Sequence, residues 1–521
     1  MSYFKAIEKS RLLMFVVLIL VLSSILSACS GNNNEENSTT KGGNTGETAA
    51  KGNGSGSKAL DPVTLKIYIP GDRPKKMNAV IAEAEKRMAS TINAKLDITF
   101  IPWSDLDSKT SVALASGESI DLIFDAPWLH LNKMVSSNAY EPLDELLKQY
   151  GTNIVSTRPQ DMWDANKFEG KVYGIPLGIS HYQIRGIYIR KDLREKYGLG
   201  KIKTFEDFNT YLYKVKENEK GMNPLTTMVD TDRITNAYKF NYDPAYDYKQ
   251  EIAQMFPFLY KKNNNGKIYN MLEEKDAGIW AGIQNMRKWY EDGIINKDNL
   301  AVKNEQDLFM NGKTAAITIA DVGVKQNIQD AVKKLGGEVE WLTLLDPSHK
   351  YVSDFKQWNF ISIPKTSKNK ERSIMFLDWA NQKENYDLLS YGIEGQDWEA
   401  VGKDGFKPLS ADYPLFGYDW IWNPTLERYN STLSEEDLKW WRWTKDSKNF
   451  IKSVDAGFTF NPDPVAQEVA TLKANSFVYP ILLGGLDSNK GMEEFKSKLG
   501  NTLKKVQDEY QKQLDAYISG H

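Results

Sequence analysis

Apolar and polar residues alternate with period two through VTLKIYIPG (63–71) and KLDITFIPW (95–103), which reads as two strands, each ending in a turn. Between them KKMNAVIAEAEKRMAST (75–91) repeats its apolar residues at helical spacing, so an amphipathic helix is expected. DSKTSVALASG (107–117) predicts a second helix stopped by Gly117, SIDLIFDAPW (119–128) a third strand, and YEPLDELLKQYG (140–151) a third helix. Such a βαβα order predicts a mostly parallel sheet with right-handed crossovers. Ligands of parallel sheets bind beyond the carboxyl ends of the strands. Those ends carry Asp72 with Arg73, then Trp103, then Asp125 with Trp128.

The amino terminus follows another pattern. Lys5, Lys9 and Arg11 precede eleven apolar residues, Leu12 to Leu22, the order of a secretory signal. A bilayer span needs about 20 such residues, so this run is too short to cross. Leu26, Ser27, Ala28 and Cys29 then resemble the lipobox of a bacterial lipoprotein. The resemblance implies cleavage before Cys29 and lipidation of its thiol, with acyl chains as the membrane tether. Cys29 is the only cysteine, so no intrachain disulfide is expected. Residues 29–58 are polar and small, with nothing to offset their ordering entropy by burial, and read as a flexible tether. Residues 1–28 read as the signal peptide, and losing its three cations and one anion takes the formal charge from −3 to −5. That mild acidity, without a basic block, argues against a nucleic-acid partner.

Longer stretches carry a second resemblance. ASGESIDLIFDAPWLHLNKMVSSNAYEPLDEL (115–146) and FEGKVYGIPLGISHYQIRGIYIRKDLREKYGLGKIKTFEDF (168–208) resemble the first lobe and the crossover of family 1 extracellular solute-binding proteins. MRKWYEDGIINKD, LFMNGKTAAITIADVG and WNFISIPKTSKNKERSIMFLDWA resemble the second lobe and the return crossover. YGIEGQDWE and GFTFNPDPVAQEVATL are similar to a large lipoprotein subgroup with an extra carboxyl-terminal domain of unknown function. The resemblance implies an α/β, type II periplasmic-binding-protein-like fold of two lobes joined by hinge crossovers. Residues 60–180 and 360–405 would form lobe 1, and residues 181–358 and 406–521 lobe 2. It further implies an oligosaccharide ligand, ABC permease subunits as partners, a monomer, and a lipid-anchored location outside the cytoplasmic membrane, in keeping with a Gram-positive cell.

Aromatic content suits a sugar cleft: 14 Trp, 26 Tyr and 21 Phe, with six of the Trp between Trp398 and Trp443. A pyranose presents a C–H face to an indole, and its hydroxyl groups need polar partners. Candidate ligand contacts are Asp72, Arg73, Trp103, Asp125, Trp128, His181, Tyr182, Arg185, Asp321, Trp358, Glu394, Trp398 and Trp420. Each has a structural alternative: Asp125 can cap the following turn, Asp72 and Arg73 can pair on the surface, and Trp103 and Trp128 can pack at the rim. Trp440 and Trp443 share a helical face behind a Ser434/Asp437 capping box and read as core.

Catalytic patterns fare poorly. The four histidines, at 130, 181, 349 and 521, show no metal-ligand spacing, so neither metal nor cofactor is expected. NGKT (311–314) has Asp307 where a phosphate loop needs its first glycine. A surface glycoside hydrolase or lyase remains the rival reading, and a receptor for a peptide or other polar solute a third.

Overall fold

The computed structural model describes residues 60–520 except 169, 179–185, 228–247, 250–257, 276, 319–324, 414–415, 418–419 and 476–477. Cys29, the tether, His181, Tyr182, Arg185 and Asp321 lie outside the described residues. Eight strands build the two principal sheets: β1 Val63–Pro70, β2 Ala94–Ile101, β3 Leu122–Asp125, β4 Gly174–Leu177, β5 Ile187–Arg190, β6 Ala316–Ile317, β7 Val339–Leu342 and β8 Asn359–Ser362.

In the first lobe the sheet order is β2-β1-β3-β8-β4. Strand β1 buries Leu65, Ile67 and Ile69 and exposes Thr64 and Lys66, the two-residue period of the sequence made physical. It runs parallel to β2 from Val63↔Ala94 to Pro70↔Ile101, and parallel to β3. All four residues of β3 are buried, as suits a strand covered on both faces. The helix Met77–Met88 covers one face with Met77, Val80, Ile81, Ala84 and Met88, the stripe its spacing predicts. Strand β8 departs from the mostly parallel expectation, because it runs antiparallel to both β3 and β4. Its direction has a simple cause. The chain leaves this sheet at the carboxyl end of β4, so a segment returning from the other lobe enters at that same end and must run the opposite way.

The second lobe centres on β5, flanked antiparallel by β7 and β6. Ile187, Ile189, Phe208, Tyr211 and Leu212 form one core with Phe495, Leu503, Val506 and Leu514 of the carboxyl-terminal helix Ser488–Gly520. The helix Phe205–Asn218 starts at a capping box between Thr204 and Asp207, and the helix Glu435–Lys445 at one between Ser434 and Asp437, as the sequence indicates. Trp443 is buried and Trp440 packs partly against the same cluster, in accord with their core reading. Among the described residues no helix is long and apolar enough to cross a membrane.

The domain boundary expected at residue 406 moves. Phe406, Tyr413, Phe416, Trp420 and Ile421 are buried in the first-lobe core, so the first lobe keeps the chain beyond residue 421. Buried Arg158 fastens this segment by donating to the carbonyls of Pro176 and Trp422, at 3.1 and 3.4 Å, and to Asn381 Oδ1 at 2.9 Å. Its burial lowers the guanidinium pKa to about 10.

Consequently the chain passes between lobes a third time, through the segment that holds the Glu435–Lys445 helix. The strand Phe450–Lys452 then lies parallel to Tyr351–Ser353 in the return crossover. Gly178 opens the first crossover at φ +136°, where a Cβ would come 2.8 Å from Gln357 Oε1, so the outgoing and returning chains touch.

Trp420 is fully buried, with Phe376 and Phe416 rings 5.9 and 6.2 Å away. Trp420→Ala should cost about 3–5 kcal/mol of stability in chemical denaturation. A cost under about 1 kcal/mol would show that the segment is not part of the first-lobe core.

Candidate functional site

Two strand ends place two indoles side by side. Strand β2 stops at Ile101 and passes through Pro102 into a single 3₁₀ turn, Trp103–Asp105. Strand β3 stops at Asp125 and turns through Ala126 and Pro127 to Trp128. The Trp103 and Trp128 rings stack with centroids 6.4 Å apart and planes 26° apart, and remain 45% and 46% exposed. Phe124 of β3 supports Trp103 edge-on at 5.9 Å. Trp128 Nε1 donates to the Trp358 carbonyl at 2.9 Å, which fixes the ring and joins the lip to the return crossover. Three of the sequence candidates, Trp103, Trp128 and Trp358, are thereby brought together.

Beside this ledge is a cavity of about 470 Å³, within the usual size range of ligand pockets. Its first-lobe wall includes Trp128, Leu129, Asn132 and Phe360, and its floor is the return crossover with Asp354, Lys356, Gln357 and Trp358. The facing wall includes Phe460, Lys473, Asn475, Tyr479 and Tyr510 of the carboxyl-terminal domain. Asn166 braces the floor: its Nδ2 donates to the Phe355 carbonyl at 3.0 Å and its Oδ1 accepts from the Gln357 N–H at 2.8 Å. Phe355 is held at φ +58°, a conformation that costs a bulky residue energy and persists only because its surroundings impose it. Asn132 Oδ1 is buried without a hydrogen-bond donor among the described residues.

Other candidates take structural roles. Asp125 is buried, and its Oδ1 accepts from the N–H groups of Ala126 at 2.7 Å and His130 at 3.0 Å, while the Tyr140 hydroxyl donates to Oδ2 at 2.5 Å. It caps the turn that carries Trp128 instead of meeting a ligand. Burial raises its carboxyl pKa, against the lowering influence of those hydrogen bonds. Trp398 is buried, with Nε1 donating to the Gly392 carbonyl at 3.0 Å and the Arg428 guanidinium over its ring. Trp420 belongs to the first-lobe core. Glu394 is exposed in the turn before Trp398, and neither lines the cavity. Arg73 lies over Phe100 on β2 and donates to Asn78 Oδ1 at 2.6 Å, and exposed Asp72 precedes it; both are off the cavity lining.

The facing wall escaped sequence reasoning. Tyr479 and Tyr510 sit among ordinary helical apolar positions, and no local signal separates them from core.

Among the described residues no cluster of three or more metal-ligating side chains exists. Asp354 is the one carboxylate among the described lining residues, whereas hydrolysis of a glycosidic bond generally takes a pair.

Comparison with known proteins adds three findings. The family described as bacterial extracellular solute-binding protein matches residues 79–392, and a domain of unknown function matches residues 455–519. A carbohydrate ABC transporter substrate-binding protein of Streptococcus pneumoniae is 26% identical over 491 residues, covering 90% of this chain and 95% of the relative. Lipoprotein LipO of Bacillus subtilis is 24% identical, covering 87% and 92%. Among solved structures, the N-glycan transport solute-binding protein of Streptococcus pneumoniae superposes with a TM-score of 0.71 at 22% identity, covering 88% of this chain and 99% of that one, which shows the shared type II fold.

Asp125→Asn should lower stability by about 1–3 kcal/mol, because the amide serves the N–H groups of Ala126 and His130 and the Tyr140 hydroxyl less well. The native carboxyl binds its proton more readily than the unfolded one. Wild-type stability relative to the variant should therefore fall as pH rises from the ordinary carboxylate range through the raised native value. Denaturation curves at stepped pH measure this, and a difference that grows with pH would show that the hydrogen bonds to the carboxylate outweigh its burial, contradicting the raised native pKa.

Proposed function

The chain belongs to the bacterial extracellular solute-binding proteins, and we propose that within this family it captures an oligosaccharide and delivers it to the permease of an ABC importer. The observation that carries this reading is the stacked Trp103–Trp128 pair, nearly half exposed, with Trp128 lining the cavity and Trp103 beside it off the lining. Soluble proteins seldom leave two adjacent indoles wet unless something covers them. A pyranose ring covers an indole with its C–H face, and stacking adds about 0.5–1.5 kcal/mol beyond area burial. Asn132 and Asn475 of the lining carry amide groups for its hydroxyls. The relative named as a carbohydrate ABC transporter substrate-binding protein supports the same class of cargo.

Capture and release follow from the hinge. A ligand that touches both walls favours the closed arrangement by its differential affinity for it, and the permease reads that difference. The lipobox at Leu26 to Cys29 and the similarity to a lipoprotein support tethering through lipid on Cys29 at the outer face of the membrane, with residues 29–58 as the leash. That Asp354 is the one carboxylate among the described lining residues weighs against the hydrolase reading, under which oligosaccharide would be shortened during incubation.

Heat stability of residues 59–521 across a glycan panel tests the proposal. One oligosaccharide class should raise the midpoint and be recovered intact. Trp128→Ala should weaken its binding about 10- to 100-fold, the loss expected of one stacked and buried indole. No glycan response, with a peptide raising the midpoint instead, would replace the cargo.

A further inference from the structure

We infer that the carboxyl-terminal domain is a part of the binding site, and that Lys473 and Tyr479 select an oligosaccharide bearing a carboxylate. This inference rests on the receptor reading above and extends it to a domain that otherwise has no assigned role.

The central sheet of the second lobe takes no part in the cavity. No described residue of β5, β6 or β7 lines it; the wall opposite Trp128 comes from the segment after Phe450–Lys452. Several contacts hold that segment in place. Ser453 N donates to the Ser353 carbonyl at 2.8 Å, continuing the ladder into the return crossover. Lys356 Nζ on the cavity floor donates to the Phe458 carbonyl. Lys452 Nζ meets Asp161 Oδ1 at 2.9 Å, across to the first lobe. Gly457 passes so near the first lobe that an added Cβ would lie 3.2 Å from the Asp164 carbonyl. The helices Ala466–Lys473 and Val478–Leu482 then present Lys473 from the last turn of one and Tyr479 from the first turn of the other.

Charge gives the ligand class. The lining holds three lysines, Lys167, Lys356 and Lys473, against Asp354 alone. Lys167 pairs with Asp164 at 3.0 Å, and Lys356 serves the Phe458 carbonyl. Exposed Lys473 makes no ion pair or hydrogen bond through its side chain among the described residues. A neutral sugar leaves that cation to water, whereas a uronate gains a charge-assisted hydrogen bond while its ring lies toward Tyr479.

Calorimetric titration of residues 59–521 with two oligosaccharides of equal length, one carrying uronate and one neutral, tests the inference. The wild type should prefer the acidic ligand about tenfold, with the preference shrinking as salt rises. Lys473→Gln should remove that preference while leaving neutral-ligand affinity within about twofold, and being exposed it should fold normally. Tyr479→Leu, which keeps apolar bulk, should weaken both ligands about fivefold. Trp103→Ala is the control for the receptor reading. If Trp103→Ala weakens binding while Lys473→Gln and Tyr479→Leu change nothing, the inference is overturned and the receptor reading survives. If the wild type binds neither ligand nor any other glycan, the receptor reading falls and takes the inference with it.

Discussion

The short ladder between Tyr351–Ser353 and Phe450–Lys452 is the contact on which the arrangement of the site depends. Three residue pairs contribute little by hydrogen bonding alone, on the order of 1 kcal/mol per bond. Burial around them contributes more. Tyr351 meets Trp443 edge-on at 5.5 Å, Trp443 meets Phe450 at 5.0 Å, and all three pack with Tyr188, Phe309 and Trp341 of the second lobe. The return crossover is therefore clamped to the start of the carboxyl-terminal domain. Lys261 of the strand Leu259–Lys262, ion-paired with buried Asp455, also holds this junction. Because Trp358 follows this clamped segment and accepts the indole N–H of Trp128, the ledge and the facing wall are referred to one fixed strip of backbone.

How much of this could be read from the sequence depends on how local each cause is. The strands and the helix Met77–Met88 follow their periodicities, and Trp103 and Trp128 lie at the lip because they stand two and three places past a strand end. That rule misleads for Asp125. A short carboxylate beside a turn finds backbone N–H donors within a few residues, and Tyr140 completes a closed, buried set that position alone does not reveal. The density of tryptophan between 398 and 443 misleads likewise, since indoles serve cores as well as clefts: Trp398 and Trp420 went inside. The facing wall was illegible because Tyr479 comes to the cavity that Trp128 lines through contacts such as the pairing of Tyr351 with Phe450, between distant parts of the chain with no signature in either segment.

The third passage between lobes changes what a hinge can do here. With two connections, lobes swing about a pair of strands. With Phe450–Lys452 laid along the return crossover and Lys452 reaching Asp161, the carboxyl-terminal domain, which shares one core with β5, touches the first lobe as well, and closure must carry it along. Phe355 at φ +58° lies in this junction, between the ladder and Trp358, held there by its surroundings. A ligand held between the ledge and the domain couples the two walls directly, so its binding energy acts on the junction without any intermediate element.

The most direct measurement is the electron density of a bound oligosaccharide in crystals of residues 59–521. The account predicts a pyranose ring lying flat against the Trp103–Trp128 ledge, with the next unit reaching the wall formed by Tyr479. Density for the sugar at any site that leaves both indoles in solvent would contradict it.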